Sequence, residues 1–495
     1  MGGPFGDRKD LSVSIRRHLA WMLWAQGSLF TLQFLSTVVL ARLLTPYEMG
    51  VYALAAALTA VLATVQAFGL STFIVREQDL HPELIVTVFT VNTVIAILLA
   101  AAIAGLSTFG GNFLREQGVK RVMLVLAFIP LLGIFEFLPS TKLQRAAEFK
   151  TLSLINTARA VLATVLTIGL AFARFSYMSI AYGQLGGYVL SALAYNVVGR
   201  RHVSLRIGLT EWRRITRFGA QMLAIGGVYT IGIRASEFLL GRLVGLGALG
   251  LYSRASSLNN LLWENIHLVI GRVVFVDLAA QKRQGASLRE SYIRIVDIIT
   301  ALMWPAFTGL AIVSGPFIYN VYGARWVAAA HPLVMLCIAS MVLVSITMTW
   351  ELFVVSQETG RQARIEIVRT GAGLLLFIAG CLVNLTTAAA ARIGEALFSV
   401  FLYRPHLNRM TETHTRDFLP IYRRSLLLTA VANLPAAAVM VAYRGSERAP
   451  LPYLLAAVAA GATGWLIALK VLDHPVAGEI MRLLRRLRRE GPAIA

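Results

Sequence analysis

Cysteine is nearly absent: Cys337 and Cys381 are the two thiols in 495 residues, and each lies inside an apolar stretch. This rules out a disulfide framework and a cysteine-based metal cluster, and leaves the thiols as small core residues. Charge is scarce as well, with 14% Asp, Glu, Lys and Arg against 57% hydrophobic residues, too apolar for a water-soluble globule of this length. There is no Gly-Lys-Ser/Thr phosphate loop, which argues against a nucleotide-driven pump. His81, His331 and His414 are scattered without metal-ligand spacing, so neither a metal nor another cofactor is expected. The run Gly245-Leu246-Gly247-Ala248-Leu249-Gly250 matches a dinucleotide-binding fingerprint by letter, but it follows an apolar helix and not a strand. A tight turn is the better explanation for it.

The abundant feature is apolar blocks of about 20 residues, the length that crosses a hydrocarbon layer as helix. Within lipid only helices and closed barrels satisfy every backbone group, and the continuously apolar run from Val51 to Val75 lacks the alternation of a barrel strand. The blocks fall near 19–40, 51–75, 84–106, 122–140, 151–173, 176–198, 219–240, 251–277, 295–319, 333–356, 365–385, 387–403, 425–443 and 451–472. The expected fold is an all-α polytopic membrane protein of about fourteen transmembrane helices. The first block is too long for a secretory signal, and Ala41-Arg42-Leu43 offers no cleavage site, so it reads as a retained helix.

The formal charge of +21 is placed in loops that flank helices, which points to the positive-inside rule and away from nucleic acid. Basic segments alternate with neutral ones when both termini are cytoplasmic. The discordant outer loop, about Ser107 to Arg121, holds Arg115, Lys120 and Arg121. The tail from Val476 to Arg489 reads either as a basic amphipathic helix on anionic membrane lipids or as a simple retention signal.

One segment recurs. Ala41-Arg42-Leu43-Leu44, Gly50-Val51-Tyr52, Ala55 and Leu58 return as Gly241-Arg242-Leu243-Val244, Gly250-Leu251-Tyr252, Ala255 and Leu258, spaced by 200 without a gap. An even number of helices between the copies makes the repeats parallel, as in transporters whose substrate path runs between two halves. The expected organisation is a cytoplasmic N-terminus at 1–18, a six-helix bundle at 19–198, a basic cytoplasmic loop at 199–218 and a second six-helix bundle at 219–403. A cytoplasmic loop at 404–424, an extra transmembrane hairpin at 425–472 and a basic cytoplasmic tail at 473–495 complete it.

Phe34-Leu35-Ser36, Ala41-Arg42-Leu43-Leu44-Thr45-Pro46, Gly50-Val51-Tyr52, Phe68-Gly69-Leu70 and Ile74-Val75-Arg76-Glu77 together resemble the polysaccharide-transport flippases of bacterial O-antigen and exopolysaccharide synthesis. Gly241-Arg242-Leu243 with Leu249-Gly250-Leu251-Tyr252-Ser253-Arg254-Ala255 is similar to that family's middle signature. The resemblance covers most of the first twelve helices and extends to the wider superfamily of multidrug, oligosaccharidyl-lipid and polysaccharide exporters. It implies transfer of an undecaprenyl-diphosphate-linked oligosaccharide across the bacterial inner membrane, with polysaccharide polymerase and export machinery as further partners.

Charged residues inside apolar helices cost at least about 2.5–3.5 kcal/mol each at the bilayer centre, so they are the candidates for function. Arg159 stands alone in the fifth helix and is a candidate for a lipid diphosphate, its planar fork matching phosphate oxygens; snorkelling to the surface is the alternative. Arg234 and Glu237 lie three apart and either pair within the seventh helix or serve a cavity. Glu264, His267 and Arg272 put polar groups on the eighth helix. Arg159, Arg234, His267 and Arg272 are candidate substrate-binding residues, and Glu237 and Glu264 candidate ion-coupling residues. Glu366/Arg369 and Arg392/Glu395 lie near helix ends, and snorkelling is expected for them. Gln26, Gln33 and Gln66 either line a cavity or serve packing. A small-cation drug exporter would carry an acidic cavity, whereas the arginines favour an anionic substrate. A glycan polymerase or ligase would need a larger outer loop than this sequence provides.

Overall fold

The computed structural model describes residues 31–66, 70–77, 81–114, 116–198 and 208–478. The side chains of 64–66, 72, 76, 109–114, 217, 218, 220–229, 265–277 and 279 are also outside the described set. Several expectations therefore fall outside the described residues: the start of the first helix with Gln26, the Gln66 side chain, Phe68-Gly69, Arg115, the basic loop at 199–207 and the tail beyond 478.

The described chain is helical, and it clusters into two compact units, 1–224 and 225–495. The first contains α1 (Thr31–Leu43), α2 (Pro46–Gln66), α3 (Leu70–Arg76), α4 (Pro82–Leu114), α5 (Gln117–Leu126), α6 (Phe128–Arg145), α7 (Phe149–Phe172) and α8 (Met178–Val198). Helix α9 (Trp212–Leu243) begins in the first unit and runs into the second. The second unit continues with α10 (Leu246–Arg283), α11 (Arg289–Ile312), α12 (Ser314–Val321), a 3-10 helix (Ala324–Ala329), α13 (Ala330–Val344), α14 (Thr349–Val355), α15 (Thr359–Cys381), α16 (Leu385–Thr411), α17 (Leu419–Ala442) and α18 (Leu451–Val471). Among the described residues, nine stretches are long and apolar enough to cross a membrane. Helices α8, α9, α10 and α15 are at least as long as the shortest of these but are more polar, and three of them carry the charges singled out above.

The repeat is present in the backbone. Helix α1 ends at Leu43 and α2 starts at Pro46; α9 ends at Leu243 and α10 starts at Leu246, the same break at the same repeat position. The two turns use different chemistry. In the first, Thr45 and Glu48 cap the new helix reciprocally, with Thr45 N donating to Glu48 Oε2 at 2.7 Å and Glu48 N to Thr45 Oγ1 at 3.2 Å. In the second, Gly245 adopts a φ of +117°, open to glycine and strained for other residues.

The outer loop expected from Ser107 to Arg121 is mostly helix. Helix α4 continues to Leu114, and Glu116 caps α5 by accepting from Gly118 N at 3.1 Å. The loop expected from residue 404 is likewise shortened, because α16 continues to Thr411. Asn384, which matches a glycosylation acceptor by letter, begins α16 by accepting from Thr387 N at 2.9 Å.

Helices approach where glycine removes a side chain, as small residues allow between membrane helices. A Cβ on Gly183 would fall 2.0 Å from Thr167 Oγ1, joining α8 to α7. One on Gly380 would fall 2.6 Å from the Thr387 carbonyl, joining α15 to α16. The terminal hairpin, α17 and α18, closes the same way at Gly461, whose Cβ would fall 2.1 Å from the Ala432 carbonyl. It also packs on α11, where Thr300 and Ser425 hydroxyls meet at 2.8 Å.

Candidate functional site

In the first unit, α6, α7 and α8 assemble a polar cluster inside otherwise apolar helices. Gly187 of α8 lies against α7 so closely that a Cβ there would sit 3.0 Å from the Arg159 carbonyl and 3.3 Å from its Cγ. The Arg159 stem therefore runs along α8, and its guanidinium lies 4.8 Å from the Tyr188 ring centroid. Among the described residues no carboxylate forms an ion pair with Arg159, so its edge donors remain available. One turn beyond Gly187, the Ser191 hydroxyl donates to Glu136 of α6 in a short hydrogen bond. Arg159 acts electrostatically on Glu136 and on Tyr195 without closing onto either. Sequence reasoning placed Arg159 but passed over Glu136; the signal was present, a carboxylate alone in the apolar run of the fourth span.

In the second unit the charges singled out on α9, α15 and α16 are paired. Arg234 and Glu237 are closed on each other along one face of α9 at 2.8 Å. Pairing within the helix is thus the arrangement found. Glu366/Arg369 and Arg392/Glu395, expected to snorkel, instead join two helices. Arg369 of α15 reaches Glu395 of α16 at 2.7 Å and also holds Glu366 of its own helix. Arg392 holds Glu395 at 2.5 Å, donates to Tyr252 Oη at 3.2 Å and lies 4.5 Å from the Phe377 ring centroid. Tyr403 Oη donates to Glu366 at 2.8 Å. All four charged side chains are at most 22% exposed. The physical reason is Gly373, where a Cβ would fall 2.6 Å from Glu395 Cδ: the missing side chain admits the carboxylate between the helices. A buried network in which each charge has an opposite partner is neutral and rigid, a scaffold more than a binding surface.

Glu264 of α10 is exposed, and its carboxylate has no bonded partner among the described residues. The side chains of His267 and Arg272, further along α10, lie outside the described residues. Arg159 belongs to the first unit, and Arg234, Glu237 and Glu264 belong to the second. Among the described residues no cluster of three or more His, Cys, Asp or Glu could hold a metal ion.

Comparison with known proteins identifies relatives of the same kind. The lipopolysaccharide biosynthesis protein WzxC of Escherichia coli is 23% identical over 65% of this chain and 66% of its own length. The teichuronic acid biosynthesis protein TuaB of Bacillus subtilis is 25% identical over 56% of this chain and 58% of its own. The succinoglycan biosynthesis transport protein ExoT of Rhizobium meliloti is 21% identical over 67% of each. The alignments thus span about two thirds or less of these relatives' lengths. Among solved structures, the lipid II flippase MurJ in an inward closed conformation shares the fold with a TM-score of 0.71 at 15% identity, over 92% of this chain and 98% of that one. A multidrug resistance transporter of the MATE family in an inward-facing conformation matches with a TM-score of 0.54 at 14% identity, over 78% of this chain and 96% of that one. The model of the family described as polysaccharide biosynthesis protein matches residues 39–331, more than half of the sequence, and the chain belongs to that family.

Proposed function

We propose that this protein is a flippase that moves a lipid-linked oligosaccharide across the bacterial inner membrane by alternating access of its two halves. Family membership supports it, as do relatives named for lipopolysaccharide, teichuronic acid and succinoglycan synthesis and a fold shared with a lipid II flippase. The observation that carries the reading is Arg159. Its guanidinium is kept in a span at the cost of desolvation, braced on Tyr188 by one face and left unneutralised by any ion pair among the described residues. A planar fork in that state suits the diphosphate of a polyprenyl carrier, while the carrier's tail stays in lipid and the sugar crosses in water.

In this reading both termini are cytoplasmic, and the bundles at 19–198 and 219–403 are the moving halves, with the hairpin at 425–472 as an appendage to the second. Ion coupling falls to Glu264 and not to Glu237, because Glu237 is already engaged by Arg234. His267 and Arg272, further along the same helix, remain candidates for the substrate.

The test is genetic and chemical. In the source organism, deletion of the gene should make lipid-linked repeat units accumulate in the cytoplasmic leaflet and reduce surface polysaccharide. The wild-type gene should restore both and Arg159→Ala should not, although the variant reaches the membrane in normal amount. Normal polysaccharide with altered sensitivity to cationic drugs would overturn the reading in favour of an exporter.

A further inference from the structure

Arg254 of α10 is 4% exposed, and among the described residues its Nε and Nη2 have no hydrogen-bond partner. Two aromatic rings from the segment that follows α12 lie against it, with the Tyr322 centroid 5.4 Å and the Trp326 centroid 5.3 Å from the guanidinium carbon. Other buried arginines of the second unit have an oxygen partner on at least one arm. Arg404 donates to the Ser345 carbonyl at 2.7 Å, Arg369 holds Glu395 at 2.7 Å, and Arg392 holds the same carboxylate at 2.5 Å. Arg254 receives no such treatment, and leaving charged donors buried and unpaired is among the most costly arrangements in a folded chain.

The internal repeat indicates that the fold does not require this arginine. The position 200 residues earlier, within the recurring segment, is Leu54, fully buried. In the first unit an apolar side chain fills this position. In the second unit the same position holds a cation beside two rings. The orphaned atoms are also specific. Nε and Nη2 lie on one edge of the guanidinium and form the side-on fork that binds two oxygens of a phosphate or carboxylate in parallel. Both atoms are shielded from solvent as well as unpartnered, so the fork is a desolvated double donor that an oxyanion would satisfy.

We propose that Arg254, braced by Tyr322 and Trp326, is an oxyanion-binding site of the second unit, separate from the Arg159 cluster and taking a phosphate or diphosphate group. The inference stands on Arg254 and its repeat partner and does not rest on the transport reading. The phosphate has two possible sources, a soluble or carrier diphosphate and a phospholipid headgroup.

The full-length protein in neutral detergent would be titrated with inorganic diphosphate and its thermal midpoint followed. A saturable rise is expected for the wild type. It should vanish in Arg254→Leu, which installs the residue that the first unit already uses and so keeps the protein folded, and persist in Arg159→Ala. Arg254→Lys keeps the charge without the fork and should raise the half-saturating concentration by about tenfold. Diphosphate without effect, together with a midpoint raised by phosphatidylglycerol but not phosphatidylcholine in nanodiscs of wild type and not of Arg254→Leu, would assign the site to a headgroup. Equal responses of wild type, Arg254→Leu and Arg254→Lys in both formats, or no response in either, would overturn the proposal. Loss of transport by other variants would leave it untouched.

Discussion

Arg369 of α15 and Glu395 of α16 form an ion pair at 2.7 Å, and each is held a second time, Arg369 by Glu366 and Glu395 by Arg392. This pair ties α15 to α16 at a place where water is largely excluded. Removing one member leaves the others with an unbalanced buried charge. Arg369→Gln or Glu395→Gln should lower stability by about 3 kcal/mol, the lower end for a broken buried pair because these side chains retain some exposure. The double variant should recover part of the loss. Thermal unfolding in detergent measures it, and an unchanged midpoint in both single variants would mean the charges are solvated.

Arg159 and its bracing make separable predictions. Arg159→Ala gives up one ring contact and, among the described residues, no ion pair, so its stability should fall by no more than about 1–2 kcal/mol while transport is lost. Gly187→Ala leaves the arginine in place but puts a methyl 2.9 Å from Ala163 Cβ and 3.0 Å from the Arg159 carbonyl. It should cost about 1–3 kcal/mol by overpacking and displace Arg159 from Tyr188. Stability and surface polysaccharide measured side by side should therefore rank the variants in opposite order.

How far the sequence revealed this arrangement depended on distance along the chain. The break between Leu43 and Pro46 and its copy between Leu243 and Leu246 could be read from the repeat because turn chemistry is local. The pairing of Arg234 with Glu237 was open to the spacing rule for the same reason. The Arg369–Glu395 pair was not, because an interval of three residues shows which charges share a helix and says nothing of which helices meet. That meeting is decided by Gly373 and Gly380, and a glycine inside an apolar run has no spacing signal of its own. The loop expected at Ser107 to Arg121 failed for a related reason: Arg115, Lys120 and Arg121 suggested solvent, but helix can continue past the apolar block and α4 does so to Leu114.

Outside the spans, Glu358 sets a modest pH dependence. Burial raises its carboxyl, but Arg409, at 2.5 Å, and Arg361, at 2.6 Å, outweigh that and hold it below the usual carboxylate range. A lowered folded-state value means that the stabilisation is complete above the unfolded-state value and is lost as pH falls through the folded one. The group is at the surface, so the contribution is within the ~0–1 kcal/mol of exposed pairs and is screened by salt. Glu358→Gln should flatten the acid limb of a melting-midpoint profile slightly at low ionic strength and leave it unchanged at high salt.

The hairpin beyond α16 repairs a defect that α11 carries in its own sequence. Pro305 lies inside α11 and has no N–H, so the carbonyl four residues earlier, Ala301, loses its helical partner. Trp465 of α18 supplies the missing donor, with Nε1 3.0 Å from the Ala301 oxygen, and Asn433 of α17 donates to the Pro305 oxygen at 3.1 Å. In a membrane span an unpaired carbonyl has no water to turn to, and neighbouring helices must serve it. Trp465→Phe keeps the ring and removes the donor, and should cost about 1–3 kcal/mol. Pro305→Ala restores the backbone N–H, so in that background Trp465→Phe should become nearly neutral. A double-mutant cycle on thermal midpoints reads the coupling directly. If Trp465→Phe cost the same in both backgrounds, the indole would serve as packing volume and the hairpin would not be mending the helix.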